Sequence, residues 1–420
     1  MEEALEIAAG VGPAAARSTG YAQIAEACLK YGNQAGSRAA LAEALKAAEK
    51  IKYPDEKAKR LAWIARLYQA LGNSVKAQEQ FTRAVLLAGA AETISKKVGA
   101  LYDVACEYVD AGLNAEAEKT LAVLSAAVTA AEEEVDFVCE LVNIAGLYID
   151  VNKNARADET LQEARRKNAE TADPWFKLER GLEIAQTFAA ASASRQAGEL
   201  ITESLAGLAL VDPGNRTYFN LKIADVYIIL GNRHAAIELL QEAASETGEN
   251  ESNYTQAQSL VEIAEKYLRL DDISAAIVIL NTIAGVIGKI EAIQDKIAML
   301  VKAADLLREA GQALKAVSLT EHAQILAESL VDAKSRLFCL GIVAVSWAKL
   351  KATAKVLEVV SRLEKMVQSG PVKTSGLGAI VAELASAGEI SSALVLAHLV
   401  REPEIKVSAL CSIIQAKSDS

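Results

Sequence analysis

Apolar positions along this chain recur on two length scales. Within a short window they fall at i, i+3, i+4 and i+7, as in Leu61, Ile64, Ala65 and Tyr68. That spacing is one stripe of a 3.6-residue helix. After a turn of about four residues a second stripe starts at Ala77 and continues through Phe81 and Ala84. The whole motif then returns with a period of 40, first as Leu101, Val104, Ala105, Tyr108, Gly112, Ala117 and Leu121, then as Leu141, Ile144, Ala145, Tyr148, Asn152, Ala157 and Leu161. A fixed period of this length marks an array of like helical units. Each unit is predicted to be a helix A, a short Gly-Asn type turn, and a longer helix B.

Three columns carry the repeat along the chain. A large apolar or aromatic column runs Cys28, Tyr68, Tyr108, Tyr148, Phe188, Tyr227, Tyr267, Leu307, Trp347, Leu384, with seven of nine steps equal to 40 and the others 39 and 37. Four residues later stand Gly32, Gly72, Gly112, Asn152, Ser192, Gly231, Asp271, Gly311, Lys351 and Gly388. Gly, Asn and Asp tolerate the left-handed conformation that ends a helix, so this column reads as a C-terminal cap, with Lys351 the residue least suited to it. Nine residues after the aromatic column comes a small one: Ser37, Ala77, Ala117, Ala157, Ala197, Ala236, Ala276, Ala316, Val356, Ala393. Small residues at fixed points let two helices approach closely.

The spacing resembles the tetratricopeptide repeat, W-x2-L-G-x2-Y followed by A-x3-F. Leu61 stands at the Trp site, Ile64 and Ala65 at Leu-Gly, Tyr68 at Tyr, and Ala77 and Phe81 at Ala and Phe. The unit differs in its 40-residue period, against about 34 for the family, in Leu for Trp, and in lacking the closing Pro. A helix B longer by a turn accounts for the period. The resemblance implies an all-α fold, a right-handed α-solenoid of about ten antiparallel helix-turn-helix repeats. Residues 1–18 would form an N-terminal cap, 19–400 the array, and 401–420 a C-terminal capping helix and tail. In that last helix Val407, Leu410, Ile413 and Ile414 lie on one side and are expected to cover helix B of the last repeat.

Composition narrows the function classes. Hydrophobic residues make up 52 % and aromatics 5 %, a mix rich in alanine that suits close helix packing. The six prolines fit long unbroken helices, and Asp173-Pro174 reads as an N-cap with proline at the first helical position. A net charge of −11 argues against a nucleic-acid partner, which requires a basic surface. No apolar run reaches the length of a membrane span and the start is acidic, so a cytoplasmic chain without membrane insertion is expected.

Candidate chemistry is sparse, and no enzyme, cofactor or metal is expected. The five cysteines (Cys28, Cys106, Cys139, Cys339, Cys411) form no CxxC and read as reduced packing residues. His234, His322 and His398 are far apart in sequence and lack any metal-ligand motif. Gly376-Leu377-Gly378 has neither the third glycine nor the preceding strand of a nucleotide loop and reads as a loosened junction. The acidic string Glu132–Asp136 reads as a solvated helix end. Sequon-like strings at Asn215, Asn250 and Asn253 fall between helices. The aromatic column lies inside the apolar stripe, which makes it core and not a platform for stacking bases.

In tetratricopeptide arrays helix A lines the concave side, and the residue two before the aromatic site points into the groove. By position the resemblance gives Glu26, Arg66, Cys106, Gly146, Gln186, Asp225, Glu265, Asp305, Val345 and Ala382, and the row six before adds Tyr102. These rows offer no Lys/Asn/Asn/Lys/Arg clamp of the kind that grips chaperone C-termini. Instead Asp225, Glu265 and Asp305 fall in three successive units, with Glu262 beside them. Stacked about 10 Å apart, such carboxylates favour a cationic visitor. Arg66, Tyr102, Gln186, Asp225, Glu262, Glu265 and Asp305 are therefore the candidate partner-binding residues. The expected function is a non-enzymatic scaffold or adaptor for a protein or peptide partner, a basic one favoured, acting as a monomer or as a homodimer through an end cap. The alternative is a peptide or small-ligand sensor whose superhelix changes shape on binding.

Overall fold

The computed structural model describes residues 1–131, 135–248 and 252–418. Among them every regular element is helical. The chain gathers into two compact units, Glu2–Val211 and Asp212–Ser420. In the first, α1 (Glu2–Gly10) precedes the pairs α2 (Ala14–Lys30) with α3 (Gln34–Ala48), and α4 (Pro54–Ala70) with α5 (Ser74–Gly89). Then follow α6 (Ile94–Asp110) with α7 (Asn114–Ala130), α8 (Phe137–Asp150) with α9 (Asn154–Ala169), and α10 (Pro174–Ala190) with α11 (Ser194–Gly207). Short 3-10 turns occupy Leu208–Leu210 and Pro213–Asn215. The second unit pairs α12 (Arg216–Ile229) with α13 (Arg233–Glu246), and α14 (Asn253–Arg269) with α15 (Ile273–Ile287). Next come α16 (Ile293–Glu309) with α17 (Ala313–Ser329), α18 (Ala333–Lys349) with α19 (Thr353–Ser369), and α20 (Leu377–Ser386) with α21 (Ile390–Leu399), before α22 (Pro403–Ala416).

Each pair is built around one turn chemistry. The cap column has positive φ at all ten positions, from +54° at Asp271 to +89° at Gly388. In every one of these turns the N–H five residues after the aromatic column donates to that residue's carbonyl, for example Asn73 to Tyr68 at 2.9 Å and Ala352 to Trp347 at 3.0 Å. This is the Schellman closure, which satisfies carbonyls the ending helix would otherwise orphan. The same residue then starts helix B. Asn33, Asn73, Asn232 and Asp272 accept from the N–H three residues on, at Gly36, Lys76, Ala235 and Ala275. One dipeptide thus ends helix A and caps helix B.

Lys351 sits at φ +58° and Ser192 at +61°. The left-handed region costs an L-residue about 1–2 kcal/mol, partly offset in glycine by its larger unfolded-state entropy. Lys351→Gly is accordingly expected to stabilise the second unit by about 0.5–1 kcal/mol. Urea denaturation checks it, and a loss of stability would mean that the Lys351 ammonium contact to the Ala387 carbonyl (3.2 Å) outweighs the strain.

The other two columns are the core. The small column is nowhere more than 1 % exposed, from Ser37 to Ala393. Every member of the aromatic column is buried except Tyr227, which is half-buried. Phe81 stacks on Tyr108 of the next repeat with ring centroids 4.0 Å apart. The extra residues of the 40-residue unit are not confined to helix B. Helix A is 17 residues long in α4 and helix B 16 in α5, so both helices share the extension. At the ends, α1 packs on α2 with Ala4 and Ala8 buried. Helix α22 packs on both α20 and α21, as the helix A of a further repeat would. It buries Val407, Leu410 and Ile413 and leaves Ile414 half-buried.

Candidate partner-binding face

The helix-A rows place the candidate residues in the two units separately. In the first unit Arg66 on α4 joins three successive A helices. Its guanidinium donates to Glu26 of α2 at 3.1 Å and to Glu107 of α6 at 2.6 Å. Burial raises the Glu107 carboxyl above the ordinary glutamate range, and Arg66 only partly opposes that. Tyr102 is half-buried beside Cys106, and its hydroxyl is pushed up to about 12 by burial first and by the neighbouring thiol second. Gln186 on α10 is half-buried. Arg66 and Tyr102 lie on adjacent helices; among the described residues no hydrogen bond or ion pair joins Gln186 to them.

In the second unit the structure brings Asp225, Glu262, Glu265 and Asp305 together on α12, α14 and α16. The row is not bare. Lys266 and Arg269 of α14 both donate to Asp225, the latter at 2.7 Å. Lys349 of α18 holds Asp305 at 2.7 Å and lies 3.8 Å from Glu383. Burial raises the Glu262 carboxyl, with Glu265 and Asp225 adding to the effect and Lys266 and Lys302 opposing it. Among the described residues neither Glu262 nor Glu265 makes an ion pair; of the two, Glu262 is half-buried and Glu265 is exposed. Glu265 borders a depression of about 610 Å³ shared with Leu268, Arg269, Lys302, Asp305, Leu306 and Glu309. Carboxylate and cation thus alternate across this face, and the exposed Glu265 and Lys302 stand outside any ion pair among the described residues.

The compensating cations Lys266, Arg269 and Lys349 lie outside the two helix-A rows, although the sequence carries a signal for them. Opposite charges recur 40–44 residues apart on helix A or at its N-cap: Arg66 with Glu26 and Glu107, Asp225 with Lys266 and Arg269, Asp305 with Lys349, Lys59 with Asp103, and the N-cap Asp136 with Arg180. Each offset is one repeat plus up to one helical turn, the geometry of a neighbour on the next A helix. Reading one row at a time finds single members of these pairs.

The remaining motifs resolve structurally. Gly378 is a close-approach glycine, since a Cβ there would stand 2.5 Å from Ile405 Cγ2 of α22. His234, His322 and His398 are exposed on separate B helices, and no metal-holding group of three His, Cys, Asp or Glu occurs among the described residues. Burial pushes the Cys339 thiol up to about 11 and the Cys139 thiol up to about 12, which suits packing rather than nucleophilic chemistry. Asp136 caps α8 by accepting from the Cys139 N–H at 3.3 Å. Glu132 to Glu134, and Asn250, lie outside the described residues. No described helix is long and apolar enough to cross a membrane.

The chain is an all-α helical repeat protein, and its paired-helix unit resembles the tetratricopeptide repeat. No protein-family model and no curated protein matches it. Solved structures with similar helix arrangement include Ton1535 from Thermococcus onnurineus NA1, at 15 % identity over 86 % of this chain and 91 % of that one, with a TM-score of 0.33. The TPR-like repeats of a putative kinesin light chain from Podosopora anserina are 19 % identical over 45 % of this chain and 93 % of theirs, with a TM-score of 0.35. Yeast Tom70 is 15 % identical over 94 % and 96 %, with a TM-score of 0.32. These likenesses concern the arrangement of helices only.

Proposed function

We propose that this chain is a non-enzymatic protein-interaction scaffold that holds a partner along its helix-A face. In the second unit the contact centres on Glu265, flanked by Asp225, Glu262 and Asp305, and the partner offers a basic segment. The observation that carries this reading is the exposed Glu265, without an ion pair among the described residues, at the edge of a 610 Å³ depression where Arg269, Asp305 and Glu309 are paired and Lys302 is the other charge outside an ion pair. A cationic side chain there gains a charge-assisted hydrogen bond without breaking an existing pair. In the first unit Tyr102 and Gln186 are the proposed further contacts, and Arg66 acts by holding Glu26 and Glu107 in place.

Binding of this kind sums many small contributions along a stiff surface, so one charge reversal should weaken it without abolishing the fold. Glu265→Lys is expected to lower affinity for the captured partner roughly tenfold at physiological salt, with an unchanged melting temperature. The measurement is capture from a lysate of the source cells by the native chain and by the variant, followed by titration of the retained protein. Equal retention by both chains would remove the helix-A face as the binding surface.

A further inference from the structure

Seven residues before the aromatic column, seven of the ten repeats carry leucine: Leu61, Leu101, Leu141, Leu260, Leu300, Leu340 and Leu377, none more than 5 % exposed. Tyr21 and Asn220 fill the position in two others and are also buried. In α10 the position is Gly181, buried in a helix interior. Glycine there is unfavourable for the helix and supplies no side chain to the core. A cavity of about 440 Å³ opens at this point between α9, α10, α11 and the turn Leu208–Leu210. Leu178, Leu200, Ala206 and Leu210 give it an apolar wall. A Cβ built on Gly181 would meet only Asn168 Nδ2, at 3.4 Å, so the space can take the missing side chain.

The charged and amide side chains around the cavity have partners, and Lys177 alone among the charged ones lacks an ion pair among the described residues. Asn168 donates to the Lys177 carbonyl at 2.8 Å. Arg165 is neutralised between Glu199 and Glu203, at 2.9 and 2.5 Å. Lys177 is exposed at the edge and donates to the Ala169 carbonyl at 2.9 Å, but it makes no ion pair among the described residues. An apolar cleft of this volume, with few polar groups at its rim, has the form of a small-molecule site. We propose that it binds a small amphiphile, its hydrocarbon chain replacing the absent leucine and its carboxylate resting on the Lys177 ammonium. This site lies wholly within Glu2–Val211 and does not depend on the partner-binding reading.

The probe is decanoate, titrated into the full chain by calorimetry. One molecule is expected to bind per chain, and octanoate to bind roughly tenfold more weakly, as the loss of two buried methylenes dictates. Gly181→Leu restores the residue of the other repeats. It should abolish binding while raising the melting temperature. Lys177→Gln should weaken decanoate but leave decanol unaffected, which separates the headgroup contact from the chain. Should Gly181→Leu misfold by circular dichroism, Gly181→Ala and the decanoate–decanol comparison carry the same test. Absence of decanoate binding, or binding undiminished in a folded Gly181→Leu variant, overturns the proposal.

Discussion

Trp347→Ala is expected to destabilise the unit beginning at Asp212 by about 3–5 kcal/mol, the range for removing a large aromatic from a closed core. Trp347 is the aromatic-column residue of α18 and is 2 % exposed. Its indole N–H donates to Gln324 Oε1 at 2.8 Å, and Gln324 in turn donates to Glu328 at 2.9 Å. Alanine would leave a cavity and also an unpaired amide oxygen on Gln324, which is itself buried. Trp347→Phe keeps most of the apolar volume and loses only the donor, so about 1–3 kcal/mol is expected from it. Urea unfolding followed by circular dichroism reads both variants. A loss below about 1 kcal/mol for Trp347→Ala would place the aromatic column outside the core.

Arg66→Met is expected to cost about 1–3 kcal/mol at neutral pH, and the cost should shrink on acidification. Arg66, Glu26 and Glu107 have side chains 21 %, 23 % and 21 % exposed, so they lie between the buried and surface regimes of ion pairs. Without the guanidinium, two carboxylates face each other across α4. Burial already holds the Glu107 carboxyl above its ordinary value, and Arg66 is the chief group opposing that rise. Removing Arg66 raises it further. A carboxyl with a raised folded-state pKa weakens the fold as pH climbs from its unfolded value through its folded one. The defect is therefore full above that window and lost as pH falls through it. Melts of native and variant chains between pH 7 and pH 4 should converge. Parallel curves would show that Arg66 contributes packing rather than charge.

The parts of the fold legible in the sequence are those where physics admits few residue types. The left-handed turn demands Gly or a tolerant polar residue, and the close helix approach demands a small one. Those columns therefore mark the ten turns and one buried small position on each B helix. Even Lys351, the misfit of its column, adopts the conformation its position requires. The share of the 40-residue unit taken by each helix was not legible, because alanine-rich sequence continues a helix in either direction without a stop signal. The candidate face was half legible. Asp225 and Asp305 stood out as acids, while Lys266, Arg269 and Lys349, which neutralise them, sat in other rows and one repeat away. Gly181 was visible as a departure from the leucine column, yet its consequence depends on the walls that α9 and α11 supply in space.

The central claim is that the helix-A face around Glu265 is where a partner sits. A photo-reactive amino acid placed at position 265 of the full chain, irradiated in source-cell lysate, tests it most directly. A matched control carries the same group at Leu314 on α17, which is 88 % exposed on a B helix. The account predicts a discrete cross-linked protein from position 265, reduced by added salt and absent from position 314. The same protein cross-linked from position 314, with nothing captured at 265, would contradict it.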